Sequence, residues 1–205
     1  MLISPPFLPP RQPGESDDAY VRRAMQGDAP GQGAFPVSRR QQWHGGLHLA
    51  APFDDSAQAL DVCAIADGVL VHAQAPTPYV SDPDHPLNYT GSWTSDGCLV
   101  LKHSTEIGEG DDGAVEFYSI YQHLSGIPDA LRDASPGAHV WRKDVIGQAG
   151  RIGGQYNRMH FEILADDRNV KRLMGARIAD VSTQDGRTDA CYGDIHFVLP
   201  AGVAC

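Results

Sequence analysis

Trp43-His44-Gly45-Gly46-Leu47-His48-Leu49-Ala50-Ala51-Pro52 is the stretch on which the reading of this chain turns. Two imidazoles stand four positions apart with two glycines between them. Positions i and i+4 share a face on a helix, but each glycine costs a helix roughly 1 kcal/mol relative to alanine, so Gly45-Gly46 argues against one. On a strand the same two positions also share a face, yet full extension sets their Cα atoms about 13 Å apart at roughly 3.3 Å per residue. Two rings at that spacing do not grip one ion. A Gly-Gly pair can bend the strand and turn both rings inward. Neutral imidazole is the commonest protein ligand for metals, so a bent strand carrying His44 and His48 reads as half of a metal site. The other reading is two surface histidines in a glycine turn.

The rest of the chain reads as strands. Residues 60–66 and 68–73 flank Asp67-Gly68, a strong hairpin signal. Residues 98–103, 115–124, 145–150 and 159–164 are β-branched, aromatic or alternating in the manner of half-buried strands, and 192–199 reads as a last one. Short helices are expected near 19–25, 129–133 and 169–174. Residues 74–97 form a long polar loop with four prolines, long enough to wall a groove. Many short strands with few helical periods predict an all-β, mainly antiparallel fold of sandwich or barrel-like form. Residues 1–42, rich in Pro, Gly, Gln and Asp, are expected as an extended lead-in that wraps the domain, docks on a partner or stays flexible. Residues 43–164 form the core, and 165–205 a C-terminal extension.

Composition narrows the function. A chain of 205 residues with 41% hydrophobic content and net charge −10 can bury a core but lacks the basic surplus that nucleic acid demands. No stretch suits membrane insertion, and the N-terminal residues lack a basic, apolar secretory leader. The four cysteines, Cys63, Cys98, Cys191 and Cys205, show no C-x-x-C spacing. Free buried thiols are expected, with a Cys191–Cys205 bridge as the alternative outside a reducing compartment.

Three more histidines sit at strand positions. In Arg158-Met159-His160-Phe161-Glu162, alternation puts Arg158, His160 and Glu162 on one face and the two apolar residues on the other. His123 ends Tyr121-Gln122-His123-Leu124, and His103 ends Leu101-Lys102-His103. Each taken alone reads as structural.

Taken together and in order, these segments resemble the lysostaphin-like (LytM-type) zinc metallopeptidases, which cut peptide cross-links in bacterial cell walls. The resemblance is carried by His44-x-x-x-His48, Ala64-Ile65-Ala66-Asp67-Gly68-Val69, His103, Tyr121-Gln122-His123-Leu124, Gly137-Ala138-His139-Val140, Ile146-Gly147 and Met159-His160-Phe161-Glu162, over about residues 43–164. It implies a Zn2+ held by His44, His48 and His160, with His123 managing protons and Glu162 orienting an imidazole. The sequence departs from the family pattern twice: His48 stands at the aspartate ligand and Arg158 at the first histidine of His-x-His. Three imidazoles and one open position still make a recognised catalytic zinc set. Arg158 cannot be a base, because its guanidinium keeps its proton, but it can donate hydrogen bonds to a developing oxyanion.

The function so implied is hydrolysis of peptide or amide bonds in peptidoglycan stem or cross-link peptides. A catalytically degenerate module that binds cell wall or regulates another hydrolase is the alternative, and a zinc protein with another substrate the third. Without a leader, the expectation is synthesis in the cytoplasm and delivery to the periplasm of target bacteria by contractile (type VI) secretion, with a secretion-apparatus or immunity partner. Phage-borne delivery and origin from a longer protein are the other routes.

Overall fold

The computed structural model describes residues 3–27, 33–38, 42–89, 91–107, 113–174, 177–182 and 188–192. The fold is all-β and antiparallel, built on an eight-stranded sheet with few short helices. Its spine is the hairpin of β6 (Gly97–Glu106) and β7 (Ala114–Gly126). Leu99, Leu101 and His103 on β6 face Tyr121, Ser119 and Phe117 on β7, and all six are buried. This is the two-residue period of a strand with one face on a core.

β10 (Gln155–Leu164) lies along the other edge of β7 and pairs there over 160–164. Its own outer edge carries β1 (Leu47–Ala50). β9 (Val145–Ile152) pairs with the start of β10 and the end of β7, and β2 (Val62–Cys63) adds to it. Beyond β6 come β3 (Gly68–Gln74) and β8 (His139–Val140). β4 (Asn88–Tyr89) and β5 (Ser92–Trp93) form a small separate hairpin inside the long loop.

The Asp67-Gly68 hairpin does not form. β2 pairs with β9, whereas β3 pairs with β6 and β8, so the turn hands the chain from one part of the sheet to another. Gly68 is required for a different reason: a Cβ there would lie 2.5 Å from the Lys102 carbonyl oxygen and 2.7 Å from His103 Nδ1. Asp67 uses its carbonyl to accept from His103 Nδ1 and its carboxylate to accept from the Arg142 N–H.

The helices fall where expected. α1 (Asp17–Ala24) starts on Ser16, whose hydroxyl accepts from Ala19 N–H, and carries Asp17 and Asp18 in its first turn, both favourable at a helix N-terminus. α2 (Asp129–Arg132) is a single turn and α3 (Asp167–Met174) follows β10. β11 (Arg177–Ser182) pairs with β12 (Thr188–Tyr192); the strand expected over 192–199 lies outside the described residues beyond Tyr192.

Of the readings of the lead-in, wrapping is what the described residues do. Ser4 N–H donates to Ile65 O, Cys63 N–H to Pro6 O, and Arg142 to the Ser4 hydroxyl. Phe7 is fully buried in the main core with Leu49, Tyr121, Ile146 and Met159. Cys63 and Cys98 are free thiols, Cys63 buried; the Cys191–Cys205 pairing lies outside the described residues. Among the described residues no helix is long and apolar enough to cross a membrane.

Candidate metal centre

The register of β1 on β10 places His48 directly opposite His160. Opposed residues in an antiparallel pair have Cβ atoms about 5 Å apart, so the two rings rise side by side from the sheet. His44 reaches the same point from just ahead of β1. The Gly-Gly bend is what lets it do so, and the close packing of the chain shows why no larger residue fits. A Cβ on Gly45 would stand 2.6 Å from Glu162 Oε1, and one on Gly46 would stand 2.3 Å from Phe161 O and 2.7 Å from His160 Nε2. A third glycine, Gly33, lies against the His48 ring, where a Cβ would meet Cγ at 2.1 Å; its carbonyl accepts from the His48 N–H.

His44 Nε2 lies 3.2 Å from His48 Nε2 and 3.2 Å from His160 Nδ1, and one nitrogen from each of the three rings falls within 4.8 Å of the others. The group can hold a metal ion. Those two separations are short enough for a single ion to be shared by the rings. The chemistry of the donors suits it too. His160 Nε2 is 3.3 Å from the Glu162 carboxylate, which can only accept, so Nε2 carries the proton and Nδ1 presents a lone pair inward. A carboxylate behind a ligating histidine fixes its tautomer and raises its basicity. His44 Nδ1 is buried with no hydrogen-bond partner.

Burial and mutual proximity favour the neutral form of His48 and His44. Burial, then the neighbouring imidazoles His44, His160 and His123, push the His48 pKa down to about 3. Burial foremost, then His160, lowers His44 below the ordinary histidine value. Neutral rings are the form that binds metals.

His123 stands beside this group without joining it: its ring centre is 6.4 Å from that of His48 and 6.5 Å from that of His160. It owes this position to a β-bulge. β7 pairs Gln122 with Cys98 and Leu124 with Gly97, leaving His123 as the extra residue, at φ +63°. The bulge keeps Tyr121 and Leu124 both in the core while His123 leaves it. Its Nδ1 donates to the Ser95 carbonyl at 2.7 Å, so in the neutral ring the lone pair is on Nε2. Burial is the main cause lowering its pKa.

Arg158 pairs with Ala50 on β1 and with Gly150 on β9, two residues before His160 on its own strand and opposite the residue two past His48. Its Nη1 donates to the carbonyls of Tyr156 at 3.1 Å and Asn157 at 3.4 Å. His103 is no part of the centre. It is 1% exposed, donates from Nδ1 to Asp67 O, accepts at Nε2 from the Ser119 hydroxyl and stacks on Phe117. Ser95 and Gly33 were not legible as site residues, since a serine in a long loop and a glycine in a Gly-rich lead-in carry no motif.

No family model and no curated protein matches the chain. Among solved structures, CbpA from L. salivarius REN is similar at 17% identity, covering 69% of this chain and 72% of that one, with a TM-score of 0.37.

Proposed function

We propose that this chain is a zinc-dependent hydrolase of peptide or amide bonds in bacterial peptidoglycan, with His44, His48 and His160 as the zinc ligands. The observation that carries the proposal is the convergence of three imidazoles, His160 buried and backed by Glu162 and the other two half-buried, beside a fourth imidazole that does not join the cluster. A bound zinc supplies Lewis acidity, polarising a carbonyl and acidifying water. The chain's own residues supply the rest. His123 is oriented by Ser95 so that Nε2 can accept a proton from the attacking water and return it to the leaving amine. Glu162 holds His160 in one tautomer and one orientation. Arg158 supplies a permanent donor for the oxyanion that develops on the substrate. The choice of peptidoglycan rests on the order of sequence segments shared with the LytM-type enzymes.

The decisive experiment is digestion of purified sacculi by zinc-loaded protein, read as new free amines and by mass analysis of the products, with metal content measured on wild type and His160→Ala. Amine release with one zinc per chain, both lost in His160→Ala, is expected. Undiminished zinc in the variant overturns the ligand set. A zinc-loaded but inert wild type favours the second reading, a wall-binding or regulatory module; the observation on its side is Arg158, engaged with its own strand where the resemblance expects a histidine.

A further inference from the structure

Arg151 is a cation of this acidic chain whose side chain the site described above does not use. It lies at the end of β9, next to Gly150, and its guanidinium rests against two tyrosines: its carbon is 4.0 Å from the Tyr156 ring centre and 5.3 Å from that of Tyr79. Both tyrosines are well exposed, at 60% and 62%. Tyr79 in turn packs edge-on against Trp93, which is buried and also covered by His85. This contact therefore stands on a fixed footing rather than on a loose loop.

A guanidinium has five N–H donors in its plane, and contact with ring faces satisfies none of them. In a chain with 26 acidic residues against 16 basic ones, neither a salt bridge nor a side-chain hydrogen bond engages Arg151 among the described residues. Aromatic stacking holds the plane still while leaving its edge unspent. That is the arrangement that receives a planar anion through two parallel hydrogen bonds.

Arg151 is tied to His123 through one residue. The Ser95 carbonyl accepts from His123 Nδ1, while its hydroxyl accepts from the Arg151 N–H at 3.1 Å and its own N–H donates to Arg151 O at 2.9 Å. An anion on Arg151 is thereby fixed relative to the proposed proton carrier.

We propose that Arg151, resting against Tyr79 and Tyr156, is a substrate subsite for a free peptide carboxylate. The inference rests on the hydrolase reading for its substrate but not for its test. The probes are a defined muropeptide with free carboxylates and the same peptide with those carboxylates amidated. Binding of each is measured by calorimetry, and cleavage by product mass, for wild type, Arg151→Gln, Arg151→Lys and Tyr156→Leu. A charge-assisted pair is worth about 10- to 100-fold in affinity. The expected result is that Arg151→Gln weakens binding of the free peptide by that factor, raising KM with kcat little changed. Amidation should cost wild type the same factor and the variant nothing. Arg151→Lys should recover part of the loss, and Tyr156→Leu should show an intermediate one. If Arg151→Gln weakens both peptides equally, or neither, or if wild type binds neither, the subsite is refuted. Carboxylate-dependent binding without cleavage keeps the subsite and sinks the hydrolase; cleavage indifferent to amidation does the reverse.

Discussion

Gly46→Ala should dismantle the metal centre while leaving the fold standing. The alanine Cβ would be 2.3 Å from the Phe161 carbonyl oxygen and 2.7 Å from His160 Nε2. The first neighbour is backbone inside β10 and cannot swing away. Ordinary contact begins at 3.4 Å, so the chain at residue 46 must withdraw by about 1.1 Å, the difference between 3.4 and 2.3 Å. Metal–ligand distances tolerate only about 0.2 Å. Residue 46 lies midway between His44 and His48, so a shift of that size pulls at least one ligand out of range. Loss of the contacts that hold a ligating histidine in place typically costs about 10- to 100-fold in metal affinity. The assay is zinc affinity by competition with a chromophoric chelator, beside the zinc-free melting temperature. Gly27→Ala is the control, because its Cβ would meet the His48 carbonyl oxygen at 3.5 Å, an ordinary contact. Wild-type zinc affinity in Gly46→Ala would refute the claim that close approach of β1 to β10 builds the site.

His48→Ala should lose most zinc, since a three-residue shell compensates poorly for a missing ligand, whereas His48→Asp should retain it; elemental analysis after dialysis decides. Arg158→Ala should keep zinc and fold but lose about 10²–10³ in kcat on sacculi if it serves the oxyanion; unchanged turnover would exclude that role. Phe7→Ala should cost about 3–5 kcal/mol in urea unfolding, because Phe7 is fully buried in the main core; a change below 1 kcal/mol, in the range of a surface residue, would show that the N-terminal segment is not integral. His103 gives the pH dependence. Burial is the main cause lowering its pKa, so the unfolded chain takes up this proton first as pH falls below about 6.5, and stability drops through that window toward the lower folded value. The stability advantage of wild type over His103→Gln should therefore shrink as pH falls from 7 toward 5, and an advantage that stays flat would contradict it.

The strands were legible because burial on one face writes itself as alternation: Val115, Phe117, Ser119 and Tyr121 face inward in turn. The three histidines that converge were singled out through the order of short segments, and the bend at Gly45-Gly46 through glycine chemistry. What the sequence could not reveal depends on neighbours distant along the chain. Asp67-Gly68 has the local preference of a hairpin turn, yet Gly68 is there because β6 passes too close for a side chain. His103 and His123 look alike, each near the end of an apolar strand. Register separates them: His103 is in phase with the core, while one extra residue throws His123 out of phase. Arg151 gave no signal, since neither tyrosine it rests against is near it in a recognisable pattern.

β1 is the outermost strand on its side of the sheet, paired to β10 along one edge only. Such a margin offers unpaired amide and carbonyl groups to any other extended chain and is a template for aggregation. Here the protein covers it with itself: the His48 N–H donates to Gly33 O, the Ala50 N–H donates to Gln26 O, and Gly27 bridges to Leu49. The strand bearing His48, one of the proposed ligands, is thus gripped from both sides, by the sheet and by the chain that precedes it. Clipping the chain between Gly33 and Trp43 and removing the front piece would bare that margin. The shortened protein would self-associate more readily and hold His48 less firmly in place.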